Sequence, residues 1–198
     1  MSAAPGPSGL PLFPLNTVVF PGGRLPLRIF EHRYIEMVKK AIADSSPFGI
    51  CAIREGQETG TPAVPCTVGT RVRITDWDMP ETGILHIVTQ AEDRFVIRHT
   101  QLEPGGLLVG TVNDVSAEPA VAIPHELELA VEILRHIIDE YGPAHFPAPP
   151  AYDDAVWVGY RLSEVLPLKL SVKQDLLEMN DSVTRLRILT EFLKRQIN

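Results

Sequence analysis

The sequence predicts an α+β fold, with a β-rich first part and a helical second part, and three observations carry that prediction. Between Leu10 and Val115, short apolar runs alternate with turn residues, the pattern of an antiparallel barrel or sandwich. One stretch of helical period, Glu31–Ala43, interrupts these runs. After Ala120 the apolar spacing turns helical and stays so. This divides the chain into a β-rich unit at 10–118 and a helical unit at 119–198.

Met1–Gly9 is small and rich in Pro and Gly, and disorder is expected there. Leu10–Tyr34 reads LPLFPLNTVVFPGGRLPLRIFEHRY, short apolar runs broken by Asn16-Thr17, Pro21-Gly22-Gly23 and Glu31-His32-Arg33. That layout predicts strand, turn, strand, strand and then a helix start. The helix at 31–43 presents Tyr34, Ile35, Val38, Ala41 and Ile42 on one face. Phe48–Arg54 is the next strand. Val68–Asp76 follows, with Val72 and Ile74 facing one way and Arg71, Arg73 and Thr75 the other. Met79-Pro80-Glu81-Thr82-Gly83 reads as a hairpin loop. Ile84–Ala91 and Arg94–Gln101 read as a strand pair turned at Glu92-Asp93. Pro104-Gly105-Gly106 turns the chain into a last strand, Leu107–Val115.

In the second part, Pro124 fits the first turn of a helix that carries Leu127, Ala130, Val131, Leu134, Ile137, Ile138 and Tyr141, and Gly142 ends it. Pro143–Pro150 reads as a stiff connector. Asp153 is placed as the cap of a helix running to Glu164. Ser171 and Gln174 have the spacing of a capping box over a helix at 172–179. Asn180-Asp181-Ser182 breaks that helix and caps a last one carrying Val183, Leu186, Leu189, Leu193 and Ile197. Together these elements predict a small helical bundle.

The composition is that of an ordinary globular protein, 44% hydrophobic and 22% charged over 198 residues. Net charge is −7, and neither half is basic: residues 1–118 carry 10 basic and 13 acidic side chains, residues 119–198 carry 8 and 12. A phosphate-neutralising surface is not expected from that balance, so nucleic acid is a disfavoured partner. Cys51 and Cys66 lack metal-site spacing and read as two buried small hydrophobes in a reducing compartment. The first basic residue is Arg24, so no secretory signal is read. No apolar run approaches the ~18 residues of a membrane span, and the cytoplasm is the default location.

Sequence motifs for catalysis are missing. There is no GxxxxGK[ST] to cradle phosphates and no GxSxG elbow. His125-Glu126 begins like a zinc-protease helix, but Leu129 stands where the second histidine is required. Ser163 and Ser171 have Lys169 and Lys173 nearby only in sequence, and Ser171 is better used as a cap. No metal, cofactor or catalytic residue is expected.

The Leu10–Tyr34 segment resembles the opening of the N-terminal domain of the ATP-dependent protease Lon. The match comprises the two Leu-Pro-Leu runs, Val18-Val19-Phe20-Pro21-Gly22 and Phe30-Glu31-x-x-Tyr34. It continues through Gly69-Thr70-x-x-x-Ile74, Asp93-Arg94-Phe95-x-Ile97, Lys173-Gln174-x-Leu176-Leu177-Glu178 and Arg185-Leu186, with Ala91 at a family glycine position. The resemblance implies a PUA-like pseudobarrel followed by a helical subdomain, contact with substrate polypeptides, and a stand-alone domain without the ATPase and Ser–Lys protease modules. It makes a non-catalytic polypeptide-binding module the leading expectation, with unfolded clients and a separate protease or ATPase as partners.

A groove is expected beside the Phe20–Gly23 turn. Phe13, Phe20, Pro21, Gly22, Leu25 and Tyr34 are the candidate contacts, and a place in the core is the competing reading for the aromatic and aliphatic ones. The alternatives are an RNA-binding PUA-like domain, using Arg24, Arg28, Arg71, Arg73, Arg94 and Arg98 as a stripe, and an enzyme whose site is assembled from distant residues.

Overall fold

The computed structural model describes residues 9–197, so the disorder expected at the N-terminus lies outside the described residues except for Gly9. Among the described residues there are six strands: β1 (Leu10–Leu15), β2 (Arg24–Ile29), β3 (Phe48–Glu55), β4 (Val64–Glu81), β5 (Ile84–Leu102) and β6 (Leu108–Asp114). The helices are α1 (His32–Asp44), α2 (Glu128–Tyr141), α3 (Ala155–Val165), α4 (Leu170–Glu178) and α5 (Ser182–Ile197). This is an α+β fold. No described helix is long and apolar enough to cross a membrane.

The sheet runs β2-β5-β4-β3-β1-β6, and β5 also pairs with β6, so five of the strands form a closed circuit of pairings. It is mixed, not antiparallel as the sequence pattern predicts. β1 runs parallel to β3, with Leu12 opposite Gly49 and Leu15 opposite Ala52. Such a pairing requires a crossover, and the segment carrying β2 and α1 supplies it.

Four local expectations change. Val18–Phe20 is not a strand, so the opening holds two strands before α1. Glu92-Asp93 makes no turn: β5 continues through it. Val72 pairs with Ala91 and Thr70 with Arg94, so two residues of β5 oppose Arg71 alone. That is a β-bulge, which bends the strand without breaking it and needs neither Gly nor Pro. The first half of β5 then pairs with β2 and the second with β6. In the helical half, α3 is capped by Asp154, whose carboxylate accepts from the Val156 N–H, and not by Asp153. Ser171 caps nothing; it lies inside α4, and Gln174 donates instead to Val68 O at 3.0 Å.

Two main apolar clusters hold the molecule. One lies between α1 and the sheet, with Phe13, Tyr34, Val38, Phe48 and Ile87 among its members. The other joins α2–α5 to the β half: Val18, Phe20 and Ala52 are packed with Leu134, Leu162, Leu176 and Leu189. The sequence boundary at 118 therefore runs beside a shared core. Cys51 is buried and Cys66 half-buried, and both are free thiols.

Candidate functional site

The junction of the two halves is built from the segments that carry the family resemblance. The Pro21-Gly22-Gly23 turn follows from local geometry: Gly22 has φ +79°, a left-handed conformation that L side chains rarely adopt. An added Cβ at Gly23 would collide with Glu164 Oε1 and lie 2.9 Å from the Phe20 carbonyl oxygen. The turn is therefore pressed against α3. There Arg161 donates to Pro21 O at 2.9 Å and to Glu164 Oε1 at 2.6 Å. On its other side, Gln90 of β5 donates to Gly22 O at 2.8 Å. Thr70, from the Gly-Thr motif, donates to Val19 O at 2.5 Å.

A second polar cluster lies deeper. Arg94 donates to Leu177 O at 2.7 Å and Met179 O at 2.9 Å, and Arg185 donates to Leu176 O at 2.9 Å. Two guanidinium groups thus satisfy the carbonyls that α4 leaves open at its C-terminal end. Glu118, from the connection after β6, accepts from Arg185 at 2.6 Å and from Tyr160 Oη at 2.5 Å, with Arg94 at 3.3 Å. The Arg185 guanidinium also lies over the Tyr160 ring. Burial, then the bond to Glu118, pushes the Tyr160 phenol far above its ordinary range.

Beside the first of these clusters opens a cleft of about 350 Å³. Val18, Val19 and Leu25 form its β side, and Tyr141, Phe146, Pro147 and Val165 its helical side. Its polar lining is Glu164 and Lys173, with Thr17, Arg24 and His145 also at the cleft. The Glu164 carboxyl is pushed up to about 7 by burial, an effect that Arg161 and Lys173 offset only in part. Lys173 donates to Glu164 O at 2.7 Å, and burial lowers its ammonium pKa against the opposing pull of Glu164. Apolar walls with a few convergent polar groups at a domain junction are the usual form of a binding site.

The candidate contacts divide. Phe13, Phe20 and Tyr34 are core residues: Phe13 stacks on Tyr34 with centroids 4.0 Å apart, and Phe20 is completely buried against Tyr160. They cannot present a surface to a peptide, because helix α1 and the helical half cover them. Pro21, Gly22 and Leu25 are half-exposed, and Leu25 lines the cleft. Tyr141, Phe146, Glu164 and Lys173 are not among the candidate contacts, although helical spacing marks Tyr141 and a family motif contains Lys173. Glu164 did leave a signal: a carboxylate three residues after Arg161, flanked by Leu162 and Val165 in an apolar helix. The arginine stripe does not form as one surface. Arg94 is 3% exposed, while Arg71 and Arg73 are paired with Asp114 and Glu92. Ser163 is buried and donates to Gly159 O, which removes it from any Ser–Lys pair.

Residues 9–195 match the family model of the ATP-dependent protease La (LON) substrate-binding domain. A protein named Lon protease from Anaeromyxobacter dehalogenans is 26% identical over an alignment covering 96% of this chain and 23% of that protein. Lon protease 2 of Myxococcus xanthus is 27% identical, with 96% and 24% covered. The chain thus spans about a quarter of the length of these relatives. Among solved structures, a Lon N-terminal domain protein from Xanthomonas campestris superposes with a TM-score of 0.77 at 33% identity, covering 92% of this chain and 96% of that one. The N-terminal domain of the Mycobacterium avium complex Lon protease shares the fold, with a TM-score of 0.67 at 19% identity. This chain belongs to the Lon substrate-binding domain family.

Proposed function

We propose that this chain is a polypeptide-binding module that holds apolar stretches of unfolded clients in the junction cleft and performs no covalent chemistry on them. The observation that carries the reading is the cleft itself, whose apolar walls come from both halves and whose β side is the family segment. The closed circuit of strands is read as a PUA-like pseudobarrel and α2–α5 as a helical bundle, with the units divided at 118/119. Relatives named Lon protease supply the rest of the reading: clients held here are handed on to a protease.

Affinity for a permanently unfolded protein, reduced and carboxymethylated, tests the proposal. Leu25→Asp places a charge on the cleft wall and is expected to weaken binding about tenfold, the effect of losing one well-packed anchor. Unchanged binding by L25D, with its stability intact, would remove the cleft as the site.

A further inference from the structure

We infer that the cleft selects side chains with an apolar body and a neutral N–H or O–H at the tip, tryptophan and tyrosine, and that Glu164 is the residue that reads the tip. The inference rests on the polypeptide-binding reading above. Glu164 Oε1 is occupied by Arg161, whereas Oε2 has no protein donor among the described residues. The side chain is 24% exposed and lines the cleft, so an acceptor with an open lone pair lies among apolar walls. Such an acceptor is satisfied by water when the cleft is empty. It must be satisfied by the occupant when an apolar body displaces that water, because a buried unmet carboxylate oxygen is strongly disfavoured.

The neighbouring charges disfavour a cationic tip: an ammonium or guanidinium meets Lys173, with Arg24 also lining the cleft, and a carboxylate tip has no proton to offer Glu164. Phenylalanine and leucine fill the walls but leave the carboxylate without a donor. Tryptophan is the discriminating case, because its indole nitrogen only donates, and tyrosine can in addition accept from a free proton of Lys173. A cleft of about 350 Å³ has room for one such side chain with part of its flanking backbone.

The test uses short apolar host peptides that differ at one position. That position carries tryptophan or benzothienylalanine, which has the same shape but sulfur in place of the N–H, and affinity is measured at pH 8. The folded protein is expected to prefer the tryptophan peptide about tenfold, the effect of one hydrogen bond to a charged group. Glu164→Gln keeps an amide oxygen for Arg161 but turns the free position into a donor, so the preference should fall to about onefold. The benzothienyl peptide should bind both proteins alike, which shows that the cleft is intact. Equal binding of the two peptides by the unaltered protein overturns the role of Glu164 and leaves the polypeptide-binding reading standing. An unchanged preference in E164Q also overturns it. Failure of every peptide to bind overturns both.

Discussion

Two carboxylates sit at the junction of the β and helical halves, and their surroundings differ in a way that separates structure from function. Glu118 is 5% exposed and enclosed by Arg94, Arg185 and Tyr160, and through them it ties β5, α3 and α5 together. Glu164 has one close cation, Arg161, and is five times as exposed, at 24%. The closed cluster satisfies most of the donors that burial would otherwise strand, leaving Arg185 Nη1 and Glu118 Oε2 without a hydrogen-bond partner among the described residues. The half-open one leaves a carboxylate at the edge of an apolar cleft, where burial raises it to about 7. Charge at a junction is not one thing: one cluster is a staple, and the other lines an accessible cleft.

The largest loss is expected at the staple. Glu118→Ala leaves two buried guanidinium groups without their carboxylate, and breaking such a cluster costs about 3–5 kcal/mol. Urea denaturation should show that loss. A change under 1 kcal/mol would make Glu118 a bystander.

Gly23→Ala comes next. The added methyl must displace either Glu164 or the Phe20 carbonyl, a strain of about 1–3 kcal/mol. It should lower both stability and client binding, because the turn and the cleft share that contact. Loss of stability with binding unchanged would separate the two.

The pH dependence sharpens the contrast. Glu164 in the folded protein lies above its ordinary 4.5, at about 7, with burial as the main cause. The folded state then keeps a proton that the unfolded chain has released, so this contribution is complete below about pH 4.5 and is lost as pH rises through about 7. Relative to Glu164→Gln, the unaltered protein should lose about 1–2 kcal/mol between pH 5 and pH 8, less than the full shift because the side chain is partly solvated. A flat difference between the two proteins would place the carboxyl in an ordinary environment.

The smallest effect on stability is expected at Tyr141, which is 68% exposed at the end of α2. Tyr141→Ser should change stability by no more than ~0.5 kcal/mol while weakening client binding several-fold.

Much of the architecture was legible because it is local. The turns at Gly22, Gly83 and Gly105-Gly106 are marked by residues that tolerate positive φ, and the period of α2 and α5 is unbroken. What escaped depends on partners distant in sequence. The parallel β1–β3 pairing leaves no mark in either strand. Glu92-Asp93 looks like a turn by composition, but without a residue demanding positive φ it stays extended as a bulge. The Ser171/Gln174 spacing matches a cap, yet a carbonyl on β4 claims the Gln174 amide. Apolar character identified Phe13, Phe20 and Tyr34 as important without saying whether anything covers them. Of the candidate contacts, Leu25 reached the cleft, because β2 has no strand on its outer side and lies beside the opening. Glu118 and Glu164 were ordinary carboxylates until the two halves closed around them.

Client polypeptide is proposed to lie in the junction cleft and not on the other exposed apolar parts of the surface. A photo-crosslinking residue placed at Tyr141, at the cleft, can be compared with one at Trp77, which is 53% exposed on β4 away from the cleft. With a permanently unfolded client, crosslinks at position 141 are expected to be several times more abundant than at position 77, and suppressed by an excess of unlabelled client. Equal yields at the two positions, or a higher yield at 77, would contradict it.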